Sequence, residues 1–160
     1  MNIQDPLSSS AALPAHPLLA FDDDAATLWS SDLGGRVVVT ANACPDYLLH
    51  LLNAGRARGL VCYDGDATHL RAAVKSICTG ERIYSGPGLH SLLTGAEREV
   101  LHGVGLGQGN RQMALLLGRS EQDVRRQLEA VMGKLGLRRR AELRLYYLGW
   151  LDAPTQKRVV

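Results

Sequence analysis

The C-terminal half of the sequence is divided into short helical segments by capping residues and glycines, and this division constrains the fold more than any other feature. Thr94 and Glu97 have the spacing of a capping box, which begins a helix that Gly107 is positioned to end. Asn110 is predicted to cap a second helix, which stops at Gly118. The pattern therefore predicts an all-α region of short helices joined by tight turns.

A third predicted helix, 120–135, has one apolar stripe and one polar face. Ser120 is its predicted cap, and the stripe consists of Val124, Leu128, Val131, Met132 and Leu135. At about 100° per residue the opposite face carries Gln122, Arg126, Glu129, Ala130 and Gly133, with Arg125 and Lys134 on its flanks. Such a helix, following another across a short turn, is typical of one that enters the major groove of DNA, where Arg binds guanine and Glu accepts from cytosine. A solvated charged face that binds nothing is the alternative interpretation.

The segment 93–143, LTGAEREVLHGVGLGQGNRQMALLLGRSEQDVRRQLEAVMGKLGLRRRAEL, resembles the LuxR/GerE-type (NarL-like) DNA-binding domain of bacterial transcription regulators. The resemblance rests on Leu93, Thr94, Glu97, Glu99, Val100, Leu101, Gly107, Asn110, Ala114, Leu117, Gly118, Ser120, Val124, Lys134, Leu135, Arg140, Ala141, Glu142 and Leu143. It implies a four-helix domain whose third helix, 120–135, is the recognition helix. It also implies that the fourth helix, 139–148, helps the domain to dimerise on DNA.

The resemblance and the helical faces together assign candidate site residues. The expected base contacts are Arg125, Arg126, Glu129 and Gln122, and the expected phosphate contacts are Thr94, Asn110, Arg111, Gln127 and Lys134. On the last helix Leu143, Tyr147 and Trp150 share one face, whereas Leu145 and Leu148 point away from it. Leu145 and Leu148 are therefore candidates for a dimer contact, and scattered surface apolar residues are the alternative.

Several positions depart from the family pattern. Asp123 stands where the family usually has Thr, which predicts weaker binding to phosphates near the helix N-terminus. Gln127 replaces a His, Ala96 replaces an Arg, and Arg119 replaces an apolar residue of the turn. Arg119 and Arg126 are candidates for replacing the lost contacts. An adapter whose helix-turn-helix binds protein instead of DNA is an alternative function.

The N-terminal half alternates short apolar runs with helical segments. Strands are predicted at 18–21, 36–42 and 59–63, and helices at 25–33, 46–54 and 66–79. This order predicts a doubly wound α/β unit with at most three parallel strands. The predicted divisions of the chain are a flexible arm 1–17, the α/β domain 18–80, a linker 81–92, the helical domain 93–150 and a tail 151–160.

Residues 36–85 resemble the second half of a response-regulator receiver domain. By that resemblance Thr40 is the switch hydroxyl, whereas the phosphoryl-binding lysine falls on Tyr63. Fewer than 90 residues precede the linker, too few for the five βα units of a receiver, so a truncated receiver that acts without aspartyl phosphorylation is expected. Phosphorylation at Asp22, within the cluster Asp22, Asp23 and Asp24, is the alternative.

Charge and composition narrow the function classes. Residues 1–91 hold six Lys and Arg against nine Asp and Glu, net −3, whereas residues 92–160 hold twelve against seven, net +5. The sequence contains no apolar run long enough for a membrane span and no disulfide, metal or enzyme motif, which predicts a cytoplasmic, cofactor-free regulator with reduced thiols. Its expected partners are double-stranded DNA, a second copy of the chain and a regulatory protein acting on the α/β half.

Overall fold

The computed structural model of the protein describes residues 19–22, 36–53, 57–81 and 83–155. Within these ranges four strands and six helices occur. Their order is β1 (Leu19–Asp22), β2 (Val37–Thr40), α1 (Pro45–Asn53), β3 (Gly59–Cys62), α2 (Ala67–Cys78), β4 (Tyr84–Ser85), α3 (Gly95–Gly105), α4 (Asn110–Leu117), α5 (Glu121–Leu135) and α6 (Arg140–Tyr147). The predicted α/β plus all-α organisation is confirmed. The predicted arm 1–17, the predicted helix 25–33, and Asp23 and Asp24 lie outside the described residues.

The strands form one parallel sheet in the order β1-β2-β3-β4. The prediction of at most three strands was wrong, because Tyr84 and Ser85 pair with Leu60 and Val61 as a fourth strand. A two-residue strand is too short to show an alternating pattern, so sequence periodicity had no means of revealing it.

Helices cover both faces of the sheet, as in a doubly wound fold. All four residues of β2 are buried, which is typical of a parallel strand covered on both sides. Because side chains alternate along a strand, Val38 packs into the cluster that contains residues of α1, whereas Val37 and Val39 pack with Ala73 and Ile77 of α2.

One hydrophobic core spans both halves of the protein. The cluster that contains Val38 and Leu48 also contains Val100 of α3, Val124 of α5 and Tyr147 of α6. The separation into domains at 81–92 stays a prediction, but the buried core is continuous across it.

Aromatic and imidazole rings line the junction between α1 and the C-terminal helices. Tyr47 packs edge-on against Tyr147, with 5.3 Å between the ring centroids. His50 stacks on His102 at 3.9 Å, and Nδ1 of His102 lies 2.7 Å from the Tyr147 hydroxyl. His50 is therefore a packing residue at this junction.

The three cysteines and the segment 151–155 complete the fold. Cys44 is buried, Cys62 and Cys78 are half-buried, and all three are free thiols. Burial raises the pKa of Cys44 to about 12, so this thiol is not reactive at neutral pH. Residues 151–155, part of the predicted tail, fold back: Ala153 is buried and the Thr155 hydroxyl donates to the Lys134 carbonyl at 2.5 Å. Across the described ranges, no helix combines the length and apolar character that crossing a bilayer requires.

Candidate nucleic-acid interface

Helices α4 and α5 form a helix-turn-helix. Gly118 ends α4 in the left-handed conformation, with φ 63° and ψ 35°, which glycine adopts at little cost. Two residues later Ser120 caps α5, and its Oγ accepts a hydrogen bond from the Asp123 backbone N–H at 3.1 Å. Both helix boundaries agree with the sequence prediction.

The polar face of α5 is exposed as its periodicity predicts. Val124, Leu128, Val131 and Leu135 are buried in the core. The exposed residues are Glu121, Gln122, Arg125, Arg126, Glu129, Ala130, Gly133 and Lys134. All four predicted base-contact residues therefore lie on the solvent side of one helix.

Arg126 is engaged within its own helix. Its guanidinium forms an ion pair with the Asp123 carboxylate, which also accepts a hydrogen bond from the Ser120 hydroxyl at 2.6 Å. The Ser120 hydroxyl and then Arg126 lower the pKa of Asp123. The Arg126 side chain is still 72% exposed, so exchanging this pairing for an external acceptor requires no change in the fold.

Arg119, in the turn between α4 and α5, forms hydrogen bonds to two helices of the fold. Its guanidinium donates to Glu99 at 2.6 Å and to the Gln127 side-chain oxygen at 2.9 Å. Gln127 is half-buried by this contact. These bonds tie α3 to α5 and occupy Arg119, so the expectation that Arg119 replaces lost DNA contacts finds no support in its geometry.

Lys134 and Thr94 meet at one buried carboxylate. The capping box is present: Glu97 Oε2 accepts from the Thr94 backbone N–H at 2.8 Å, and Lys134 Nζ donates to the same oxygen at 2.8 Å. Burial raises the pKa of Glu97, but the hydrogen bonds from Lys134 and Thr94 outweigh it, so the net shift is downward. Lys134 therefore holds the end of α5 against the start of α3.

The prediction that Asn110 caps α4 was wrong. The N-cap is Gly109, and no side chain caps this helix. The side-chain oxygen Oδ1 of Asn110 instead accepts a hydrogen bond from the Arg140 guanidinium at 2.8 Å, a partner thirty residues away that no local pattern reveals. Arg111 is exposed, and within the described residues no ion pair involves it.

The last helix buries a different set of residues from the one that its sequence predicted. Leu143, Tyr146 and Tyr147 are buried, whereas Trp150 is 78% exposed. The expectation that Trp150 shares the inward face was wrong, because α6 ends at Tyr147 and Gly149, with φ 78°, turns the chain. Leu145 is 39% exposed, and Leu148 is half-buried against the core.

Three strand ends meet at the carboxyl edge of the sheet. The register pairs Asp22 with Thr40 and Thr40 with Cys62, so Asp22 ends its strand beside the predicted switch residue. The buried Thr40 hydroxyl accepts from the Asn42 backbone N–H at 3.0 Å. Tyr63, on which the resemblance to a receiver places the phosphoryl-binding lysine, directly follows β3 and is 37% exposed.

The polar contacts that join distant segments leave little trace in the local sequence pattern. The pairs Arg119–Glu99 and Lys134–Glu97 each link residues more than fifteen positions apart. The sequence signal was Arg119 itself, a charged residue where the LuxR/GerE-type pattern that the segment resembles has an apolar one. Within the described ranges no cluster of three or more His, Cys, Asp or Glu side chains could hold a metal ion.

The chain is similar to a curated transcription regulator. It is 29% identical over 118 residues to the transcriptional regulatory protein DesR of Bacillus subtilis (strain 168), in an alignment that covers 69% of this chain. The chain spans 59% of the length of DesR. No protein-family model matches it.

Solved structures of a response regulator are also similar. RcsB from Salmonella enterica serovar Typhimurium, bound to promoter rprA in the presence of phosphomimetic BeF3-, matches with 25% identity and a TM-score of 0.45, covering 71% of this chain and 59% of RcsB. RcsB bound to promoter P1flhDC matches with 23% identity and a TM-score of 0.35, covering 72% of this chain and 60% of RcsB.

The match to DesR reaches beyond the helix-turn-helix, because 69% of the chain is more than residues 93–160 contain. It therefore takes in part of the α/β half as well as the helices. The sequence similarity to DesR and the residue pattern of 93–143 together support a NarL-like helix-turn-helix regulator.

Proposed function

We propose that the protein is a transcription regulator, without enzymatic activity, that binds duplex DNA in the bacterial cytoplasm through α5. The observation that carries this proposal is the exposed face of α5, on which Gln122, Arg125, Arg126 and Glu129 lie together. A helix of 15 residues that exposes such side chains after a tight turn fits the major groove, where Arg and Glu distinguish base pairs. The DesR similarity supports the same class of protein.

The surrounding residues are proposed to fix the helix on the backbone of the duplex. Arg111 and Thr94 are exposed, and Lys134, at the far end of α5, is exposed and keeps two of its three ammonium donors besides the one bonded to Glu97. Asn110 and Gln127 keep one side-chain amide nitrogen each for a phosphate, because the hydrogen bonds that they accept use only their oxygens. Such contacts fix the position of α5 along the duplex but do not distinguish one base sequence from another.

A homodimer is proposed to form through α6. Leu145 and the half-buried Leu148 offer a small apolar surface on this helix, and two copies would present two recognition helices to two half-sites. A dimer also doubles the number of phosphate contacts, which raises affinity for a given site.

The α/β half is proposed to act without aspartyl phosphorylation. A receiver neutralises its phosphoryl oxygens with a lysine, and Tyr63 offers no positive charge at that position. The pairing of Asp22 with Thr40 favours the alternative of a regulator phosphorylated at Asp22. Incubation with labelled acetyl phosphate distinguishes the two: no incorporation is expected, and label on Asp22 would establish the alternative.

Selection of oligonucleotides from a random pool, at two salt concentrations, tests the function. We expect an enriched site, and an affinity that falls with salt because counterions leave the phosphates on binding. Arg126→Ala is expected to relax the sequence preference. Arg111→Ala should weaken binding to all duplexes equally and reduce the slope of log affinity against log salt concentration by about one. A pool without any enriched site would favour the adapter that binds protein.

A further inference from the structure

A cavity of about 580 Å³ opens at the carboxyl ends of β2 and β3. Its walls come from the loop after β2, the end of β3, the first turns of α2 and the segment 85–87. Its volume lies within the range of about 300–1,000 Å³ that small-molecule sites occupy. In open parallel sheets, ligands bind at this end of the strands because helix N-termini and loops converge there.

The interior of the cavity is apolar and its rim is acidic. Val61, Leu70 and Ala73 contribute apolar surface. Asp64 is the carboxylate and His69 the imidazole among the described lining residues, which also include the Cys62 thiol and, in the part of the chain that the structure describes, no Lys or Arg. Tyr63 adds a hydroxyl group where a receiver would have the lysine that attracts a phosphoryl group.

His69 does not make the net charge of this rim positive. His69 Nδ1 lies 3.1 Å from Asp64 and 3.9 Å from Asp66, so one imidazole faces two carboxylates. Even when His69 is protonated, the three groups together carry a net negative charge. An anionic ligand would therefore meet repulsion at the opening, whereas a cation would be attracted.

We propose that this cavity binds a small organic amine, with its apolar body against Val61, Leu70 and Ala73 and its ammonium group at Asp64. The size, the apolar walls and the Asp64 carboxylate, with no cationic side chain among the described lining residues, together favour this class of ligand. The proposal concerns binding alone and does not depend on DNA binding.

The loop between β2 and α1 connects the cavity to the last helix. Ala41 and Ala43 line the cavity, and between them Asn42 donates a hydrogen bond from Nδ2 to the Tyr147 carbonyl at 2.9 Å. The next residue, Cys44, is buried in the core shared with α6. A ligand that shifts this loop therefore changes the position of α6. That consequence rests on the proposed DNA-binding function.

Calorimetric titration with three probes of one shape tests the binding. The probes are 2-phenylethylamine, 2-phenylethanol and phenylacetate, which carry a positive, no and a negative charge. We expect saturable binding of the amine at about millimolar concentration, as befits so small a ligand. We expect phenylacetate to bind about three- to tenfold more weakly, because its charge is repelled by Asp64.

Matched variants locate the site. Ala41→Trp fills the cavity from an exposed position and should abolish binding, whereas Ala72→Trp, on the exposed side of α2 and outside the cavity lining, should leave it unchanged. Asp64→Asn should remove the preference for the amine over the alcohol. Failure of the amine to bind, equal or tighter binding of phenylacetate, or binding that survives Ala41→Trp would overturn the proposal.

A DNA-binding titration with and without 2-phenylethylamine separates this proposal from the proposed function. Binding of the amine to a protein that enriches no DNA site would support the cavity and contradict the DNA-binding function. Enrichment of a DNA site by a protein that binds no probe would support the DNA-binding function and contradict the cavity proposal.

Discussion

The Tyr146 hydroxyl donates a hydrogen bond of 2.5 Å to Oδ2 of Asp46, which lies 100 residues earlier, and both side chains are buried. The Ser91 hydroxyl donates to the other carboxylate oxygen. Burial raises the pKa of Asp46, while the hydrogen bonds from Ser91 and Tyr146 oppose that rise. This carboxylate therefore joins α1, the segment before α3 and α6 in one polar contact inside the shared core.

Removal of the Tyr146 hydroxyl should weaken the junction between the two halves. Tyr146→Phe leaves a buried carboxyl group without one of its donors, so we expect the free energy of unfolding to fall by about 1–3 kcal/mol. Urea denaturation measures the change. Tyr84→Phe, which removes a hydroxyl bonded to the exposed Pro87 carbonyl, is the control and should have a smaller effect. Equal decreases in the free energy of unfolding of the two variants would show that the buried bond to Asp46 contributes no more stability than the exposed bond to Pro87.

The stacked histidines should make stability depend on pH. Burial lowers the pKa of His50 to about 4 and that of His102 to about 3, below the ordinary value of 6.5. Because the unfolded chain binds these protons first, their contribution to stability is present above pH 6.5 and is lost as the pH falls toward 4. Allowing for partial exposure to solvent, we expect the free energy of unfolding to fall by about 1–2 kcal/mol over this range.

Urea denaturation at a series of pH values tests the histidine prediction. His50→Phe keeps a ring for stacking but does not titrate, so its pH dependence should be shallower. The exposed His69, whose pKa is raised by its hydrogen bond to Asp64, contributes in the opposite sense. His69→Gln should therefore keep the loss of stability in acid, and an identical profile for His50→Phe and the natural protein would refute the assignment.

Replacement of two helical glycines by alanine should change the stability of the protein in opposite directions. An added Cβ at Gly105 would lie 2.6 Å from Cε1 of the buried Tyr147 ring, so Gly105→Ala should destabilise the protein by about 1–3 kcal/mol. Gly133, on the exposed face of α5, has no atom within 4 Å of such a Cβ. Gly133→Ala should stabilise the helix by about 0.5–1 kcal/mol. Thermal unfolding measures both, and stabilisation by Gly105→Ala would contradict the packing described for α3 and α6.

Asp123 should limit the affinity for DNA through its ion pair with Arg126. Asp123→Thr removes a negative charge from the first turn of α5 and releases the guanidinium, while the cap persists because Ser120 bonds the backbone at this position. We expect DNA affinity to rise by about three- to fivefold at low salt. Glu121→Thr, which removes an equal charge from the same turn, is the matched control. A gain of the same size in both variants would mean that net charge, and not the release of Arg126, sets the affinity.

Local features of the sequence were enough to predict α5 and its exposed face. Ser120 and Gly118 determine where α5 begins and α4 ends, and the spacing from Val124 to Leu135 determines which side is buried. These properties depend on neighbouring residues only, because capping and helical periodicity act within about one or two turns. The same reasoning failed at Asn110, whose side chain is used by Arg140 from another helix.

The sequence by itself determined the order of the described secondary structure elements other than β4, the turn before α5 and the set of polar residues that α5 exposes. Only the tertiary structure decided that one core joins the two halves, that Arg119 is occupied by Glu99 and Gln127, and that an acidic-rimmed cavity lies at the end of the sheet. The physical reason is that these features depend on contacts between residues far apart in the chain, which packing alone brings within bonding distance.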